Sequence, residues 1–171
     1  MTIRKSTKYD IDGIMCLLGE ARESMGRLGI DQWQYGYPSR EIVKEDVKFD
    51  RSYVATDDDG NLCATFAIIT GGEPTYRKIY GGNWLTDGTD YLVFHRIAVK
   101  MENRGTGLSD EIVRFLEKFA SDHGFQSLRV DTHQGNKPMR KMLERNDFTY
   151  TGIIHLSSGE ERVAYEKVLE D

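Results

Sequence analysis

The chain has 171 residues, enough for one domain with a sizeable core, and a single domain over residues 1–171 is expected. Its 39% apolar and 30% charged fractions are ordinary for a water-soluble protein, and no apolar run approaches the roughly 20 residues of a membrane helix. With 23 basic against 28 acidic residues the net charge is −5, which argues against a nucleic-acid or membrane partner and favours cationic small molecules.

Residues 2–5 alternate polar and apolar like a strand, with no apolar stretch or small-residue cleavage site of a signal peptide, so a cytoplasmic location is expected. Ile11, Ile14, Met15, Leu17, Leu18 and Ala21 recur at helical spacing up to Gly26 and Gly29. Ser39 is a good N-cap for a short helix over 41–49. Residues 53–56 and 62–70 read as an antiparallel hairpin around Asp59-Gly60. Residues 71–90, rich in glycine and aromatics, read as an ordered loop. Cys16 and Cys63 lie in apolar segments outside any metal-ligand spacing, so both are expected to be reduced and packed in the core.

The second half opens with an apolar strand over 91–99, interrupted by His95-Arg96. After a glycine turn, Leu108, Ile112, Phe115, Leu116 and Phe119 mark a helix closed by Gly124. A strand over 128–132, a helix over 136–145 and strands over 148–156 and 163–169 complete the order β-α-α-β-β-β-α-β-α-β-β.

A strand ending at Val99, the turn Arg104-Gly105-Thr106-Gly107 and a helix from Leu108 together suit a pyrophosphate. The first helical turn leaves backbone N–H groups unpaired at the positive end of the dipole, and glycines let a phosphate come close. Arg104 adds a cation. Gly-x-Gly alone is equally compatible with a tight strand-to-helix turn. A P-loop would need Gly-Lys-Ser/Thr where Gly107-Leu108-Ser109 stands, and a dinucleotide fingerprint would need glycine in place of Asp110.

Arg96-Ile97-Ala98-Val99 followed by Glu102-Asn103-Arg104-Gly105-Thr106-Gly107-Leu108 resembles the acetyl-CoA motif of the GNAT superfamily of N-acetyltransferases. The family pattern is Gln/Arg-x-x-Gly-x-Gly/Ala, and Glu102 departs from its first position. Residues 136–148 resemble the family's Asn-x-x-Ala-x-x-Leu-Tyr-x-x-x-Gly-Phe segment: Asn136 and Phe148 are in place, while Met139 replaces the alanine, Leu143 the tyrosine and Asp147 the glycine. The residue often assigned as general acid is thus absent, which a thiol leaving group tolerates.

The resemblance implies an α/β GNAT fold, with a mixed central sheet splayed between strands four and five and helices on both faces. It implies acetyl-CoA as co-substrate, a small-molecule or peptide amine as acceptor, and no metal. Coenzyme contacts fall to Ile97, Ala98, Val99, Arg104, Gly105, Thr106, Gly107, Leu108, Ser109, Asn136, Met139 and Arg140. Backbone N–H groups near Ile97 and Val99 would hold the oxyanion.

His95 is the first candidate for general base, because its ordinary pKa is near working pH and a histidine stands there in arylalkylamine acetyltransferases; a hydrogen-bonded sheet histidine is the other reading. Asp131 and His133 share one strand face and can relay a proton or stabilise a loop. Trp33, Tyr35, Tyr80 and Trp84 can wall an amine pocket or pack as a lid. A non-catalytic acyl-CoA sensor of the same fold is the alternative function, and both a monomer and a homodimer are compatible with the sequence.

Overall fold

A computed structural model describes residues 1–170. The elements in chain order are β1 (Thr2–Lys5), α1 (Ile11–Arg27), α2 (Arg40–Lys48), β2 (Ser52–Thr56), β3 (Leu62–Ile69), β4 (Tyr91–Val99), α3 (Leu108–Asp122), β5 (Ser127–Thr132), α4 (Lys137–Arg145), β6 (Thr149–His155) and β7 (Glu161–Val168). The order is the expected one. Three short 3₁₀ turns, Lys8–Asp10, Pro74–Tyr76 and Met101–Asn103, add to it.

A seven-stranded sheet has the order β1-β2-β3-β4-β5-β7-β6. It is mixed: β4 runs parallel to β5, while β1 with β2, β2 with β3, β5 with β7 and β6 with β7 are antiparallel. The parallel register spans Tyr91↔Ser127 to Val93↔Arg129, and β4 runs on to Val99. The mixed α/β fold implied by the resemblance is therefore present.

The chain divides into two compact units, Met1–Ile68 with His95–Ile112, and Ile69–Phe94 with residues from Val113 on. In the first, the apolar stripe of α1 (Ile11, Ile14, Leu17, Leu18) meets Val43 of α2, Val54 and Ala98. Helix α1 follows a capping box in which Asp10 accepts from the Thr7 amide at 2.7 Å and also binds Arg4. Cys63 is buried, and burial pushes its thiol pKa up. Cys16 is exposed, contrary to expectation: it stands two residues from buried Ile14, off the buried stripe. The β2–β3 hairpin closes as expected, with the Asp57 carboxylate accepting from the amides of Asp59 at 3.0 Å and Asn61 at 2.8 Å.

The second unit packs Tyr76, Tyr91, Val93, Ile154 and Ala164 together, with Trp84 against them. Its centre is an ion pair: Arg129 Nε lies 3.0 Å from Glu166 Oε1, and the side chains are 4% and 0% exposed. Glu166 also accepts from Ser127 Oγ at 2.6 Å, Thr86 Oγ1 and the Leu85 amide, while the Arg129 guanidinium stacks on Tyr91 at 4.0 Å and Trp84 at 4.3 Å. These contacts, with paired backbone bonds between Tyr80 and Ile153, make residues 71–90 an ordered loop.

Candidate active site

The second half of β4, from His95 to Val99, is the centre of the candidate site in the first unit. The strand's residues up to Phe94 are buried, and His95, Arg96 and Ile97 are half-buried. At Arg96 the backbone turns left-handed, with φ 54. This conformation is uncommon outside glycine and interrupts the two-residue alternation of a strand.

The Arg96 side chain is anchored on three sides. Its Nε and Nη2 donate to Oδ2 and Oδ1 of Asp46, each at 2.9 Å, and Nη1 donates to the Tyr37 hydroxyl at 3.1 Å. Asp46 is 4% exposed, so this two-pronged contact satisfies a carboxylate that burial would otherwise penalise. Arg51 Nε is 3.2 Å from Asp46 Oδ1 without hydrogen-bond alignment. A cleft beside the pair, lined by Ile14, Val43, Ser52 and Thr65 among others, measures about 10 Å³, the size of one water and too small for a substrate amine.

After β4 and the turn Met101–Asn103 come the two glycines of the predicted phosphate turn, Gly105 with φ 76 and Gly107 with φ 87. A Cβ at either position would meet no heavy atom within 4 Å, so the backbone there is open to a ligand. The Glu111 amide donates to the Gly107 carbonyl at 3.1 Å, so α3 begins directly on the turn. The first turn of a helix carries the positive end of its dipole, which favours an anion there. Leu108 is buried beneath the turn, and Ser109 is half-buried.

Arg104 does more than lend charge. Its Nε donates to the Val99 carbonyl at 3.2 Å and Nη1 to Ser24 Oγ at 3.0 Å, tying the turn to β4 and α1. Thr106 Oγ1 donates to the Asn103 carbonyl. Glu102, at the position where the family carries Gln or Arg, is paired with Lys100 at 2.8 Å.

The aromatic candidates of this unit have different surroundings. Trp33, with φ 65, packs against the α1–α2 core, and its carbonyl accepts from Arg22 Nε at 2.8 Å, which is lid-like packing. Tyr35 is 94% exposed.

In the second unit Asp131 accepts the Tyr76 hydroxyl at 2.6 Å. Burial and then the Asp131 charge push the Tyr76 pKa well above its usual value, so its proton stays on and the hydroxyl stays a donor. His133 lies one residue past β5, and its Nδ1 accepts from the Gly135 amide at 2.9 Å, a turn-stabilising bond. Asn136 caps α4 by accepting from the Met139 amide at 3.3 Å. Arg140 donates to the Tyr165 hydroxyl at 2.8 Å and to the Gln134 carbonyl. Leu143, in the family's tyrosine position, is fully buried, and Asp147, in the glycine position, has φ 65, which aspartate adopts more readily than most residues. Trp84 Nε1 donates to the Tyr76 carbonyl at 2.8 Å, so its indole is bound within the loop, while Tyr80 is 48% exposed against His155.

Sequence reasoning missed Asp46, Tyr76, Arg129 and Glu166 as organising residues. Only Asp46 left a trace: it stands three residues from Val43, on the face of α2 that is buried. Among the described residues no group of three or more His, Cys, Asp or Glu side chains is placed to hold a metal ion. No helix among them is long and apolar enough to cross a membrane.

The model of the acetyltransferase (GNAT) family matches residues 22–148. A GNAT-family acetyltransferase from Streptococcus agalactiae 2603 is 37% identical, with a TM-score of 0.90 over 99% of this chain and 96% of that one. One from Listeria monocytogenes 4b F2365, 19% identical, has a TM-score of 0.75 over 98% and 94% of the two chains. A phosphinothricin acetyltransferase from Sinorhizobium meliloti in complex with AcCoA, 15% identical, has a TM-score of 0.68 over 98% and 88%. At these lower identities the likeness is one of fold. A comparison with curated proteins found no match.

Proposed function

This chain belongs to the GNAT acetyltransferase family, and from that premise we propose that it moves an acetyl group from acetyl-CoA to a primary amine of a small molecule or peptide, by direct attack with both substrates bound. The observation that carries this reading is the open glycine turn after β4: Gly105 and Gly107 at positive φ, nothing within 4 Å of their would-be Cβ atoms, and the start of α3 directly behind them.

Bound acetyl-CoA supplies the acyl group and a thiol leaving group. The turn holds the pyrophosphate through backbone N–H groups, and the β4 backbone at Ile97–Val99 lines the pantetheine arm and stabilises charge on the thioester oxygen. His95 takes the proton from the attacking amine. Asp131, kept hydrogen-bonded to Tyr76, and His133 stand as secondary candidates for proton transfer. Asn136, Met139 and Arg140 contribute through the start of α4, where Asn136 acts as a cap. Tyr35, the most exposed of the aromatic candidates, and Tyr80 remain available to an acceptor, whereas Trp33 and Trp84 shape their loops. A cytoplasmic setting suits two free cysteines.

A second reading, an acyl-CoA sensor without turnover, draws on the buried Leu143 in the family's tyrosine position. Thiol release from acetyl-CoA with a panel of amines separates the two. At least one amine should stimulate release, and His95→Ala should lower turnover by about a hundredfold or more, the usual scale of a general base. Binding of acetyl-CoA that no amine converts into thiol release establishes the sensor reading instead.

A further inference from the structure

Arg96 is the one residue inside a strand of the first unit whose backbone is left-handed without being glycine, and it directly follows the candidate base. An isolated strand has no reason to keep an arginine there, since Cβ crowds the carbonyl in that region. Something outside β4 must hold it. The guanidinium is hydrogen-bonded to Asp46, through two bonds of 2.9 Å, and to the Tyr37 hydroxyl at 3.1 Å. Asp46 is rigid in turn: it sits in α2, is 4% exposed, and α2 is fixed at its start by Ser39, whose Oγ accepts from the Ile42 amide at 3.3 Å. Tyr37 comes from the α1–α2 segment, which Arg22 pins by donating to the carbonyls of Trp33 at 2.8 Å and Pro38 at 3.2 Å.

We propose that Asp46 is a positioning residue: by clamping the Arg96 guanidinium it holds the left-handed kink in β4, and the kink sets the backbone at His95 and Ile97 on which turnover depends. The proposal rests on the acetyltransferase reading for its link to turnover; the clamp itself can be tested without it. Helix α2 thereby acts on the reacting strand without touching substrate, and Tyr37 connects the same guanidinium to the segment between the first two helices.

The test compares two double variants, Asp46→Asn/Arg96→Ala and Asp46→Asn/Arg96→Gly. Both lose the ion pair and both leave Arg51 to Glu45 alone, at 3.8 Å, so they differ only in how well residue 96 tolerates positive φ. The glycine variant should turn over about tenfold faster than the alanine variant, matching the left-handed penalty of a Cβ. Acetyl-CoA Kd should differ less between them than kcat does, because the turn Arg104–Gly107 lies outside the altered segment. Amide exchange across residues 95–97, measured without substrates, should be faster in the alanine variant. Equal kcat in the two variants, or equal exchange, overturns the proposal. A wild-type protein that no amine engages sinks the functional reading alone, since exchange across residues 95–97 in Asp46→Asn/Arg96→Ala that is no faster than in wild type still overturns the clamp.

Discussion

Replacing Gly107 with alanine separates what the turn needs for folding from what it needs for binding. With φ 87 the alanine Cβ is strained, at a cost of about 1–2 kcal/mol. It meets no protein atom within 4 Å, so no further steric cost arises in the free protein. At this chain length each kcal/mol lowers Tm by about 2–4 °C, and the variant should remain folded at room temperature. The methyl group does, however, project from the backbone that a phosphate would approach. Loss of one charge-assisted hydrogen bond, roughly 1.5–3 kcal/mol, corresponds to an acetyl-CoA Kd raised by about tenfold to a hundredfold. Gly60→Ala is the matched control, because Gly60 in the β2–β3 hairpin has φ 82 and the same empty surroundings. Thermal melts should show similar Tm losses in the two variants, and calorimetric titration should show weakened acetyl-CoA binding only in Gly107→Ala. If both variants bind the coenzyme as wild type does, the turn is not the phosphate site.

Arg129→Met leaves Glu166 buried without its cation and removes the stacking on Tyr91 and Trp84, so urea unfolding should show a loss of about 3–5 kcal/mol. Adding Glu166→Gln should recover part of that loss, and a single-variant loss below about 1 kcal/mol would contradict a stabilising role for the pair. Asp10 responds to acid: its hydrogen bonds from Arg4 hold its carboxyl below the usual range, with the Thr7 amide adding to them. A lowered folded-state pKa contributes stability above the unfolded value of about 3.9 that is lost as pH falls through the folded value, so wild-type Tm should drop more steeply than that of Asp10→Asn below about pH 4.

Much of the architecture was legible because it rests on local signals. Periodicity located α1 and α3, Asp59-Gly60 marked the hairpin, and the strand–glycine–helix order of residues 91–108 marked the turn. The 3₁₀ turn Met101–Asn103 escaped because three residues carry no periodicity, and Cys16 was misplaced because an apolar neighbourhood in sequence does not say which helix face a residue occupies.

Side-chain roles divided differently. Gly105 and Gly107 depend on backbone freedom, a property of the residue itself, so the sequence alone located the left-handed glycine turn ahead of α3. Arg104, Asn136 and Arg140 read in sequence as coenzyme contacts; the tertiary structure adds that Arg104 donates to the Val99 carbonyl and Ser24 Oγ, Asn136 accepts from the Met139 amide, and Arg140 donates to the Tyr165 hydroxyl and the Gln134 carbonyl. Asp46 and Arg96 are fifty residues apart in the pair, as are Arg129 and Glu166 at thirty-seven, and no local pattern encodes such pairings. They are decided only when burial removes water and leaves each charge the partner that folding brings within reach.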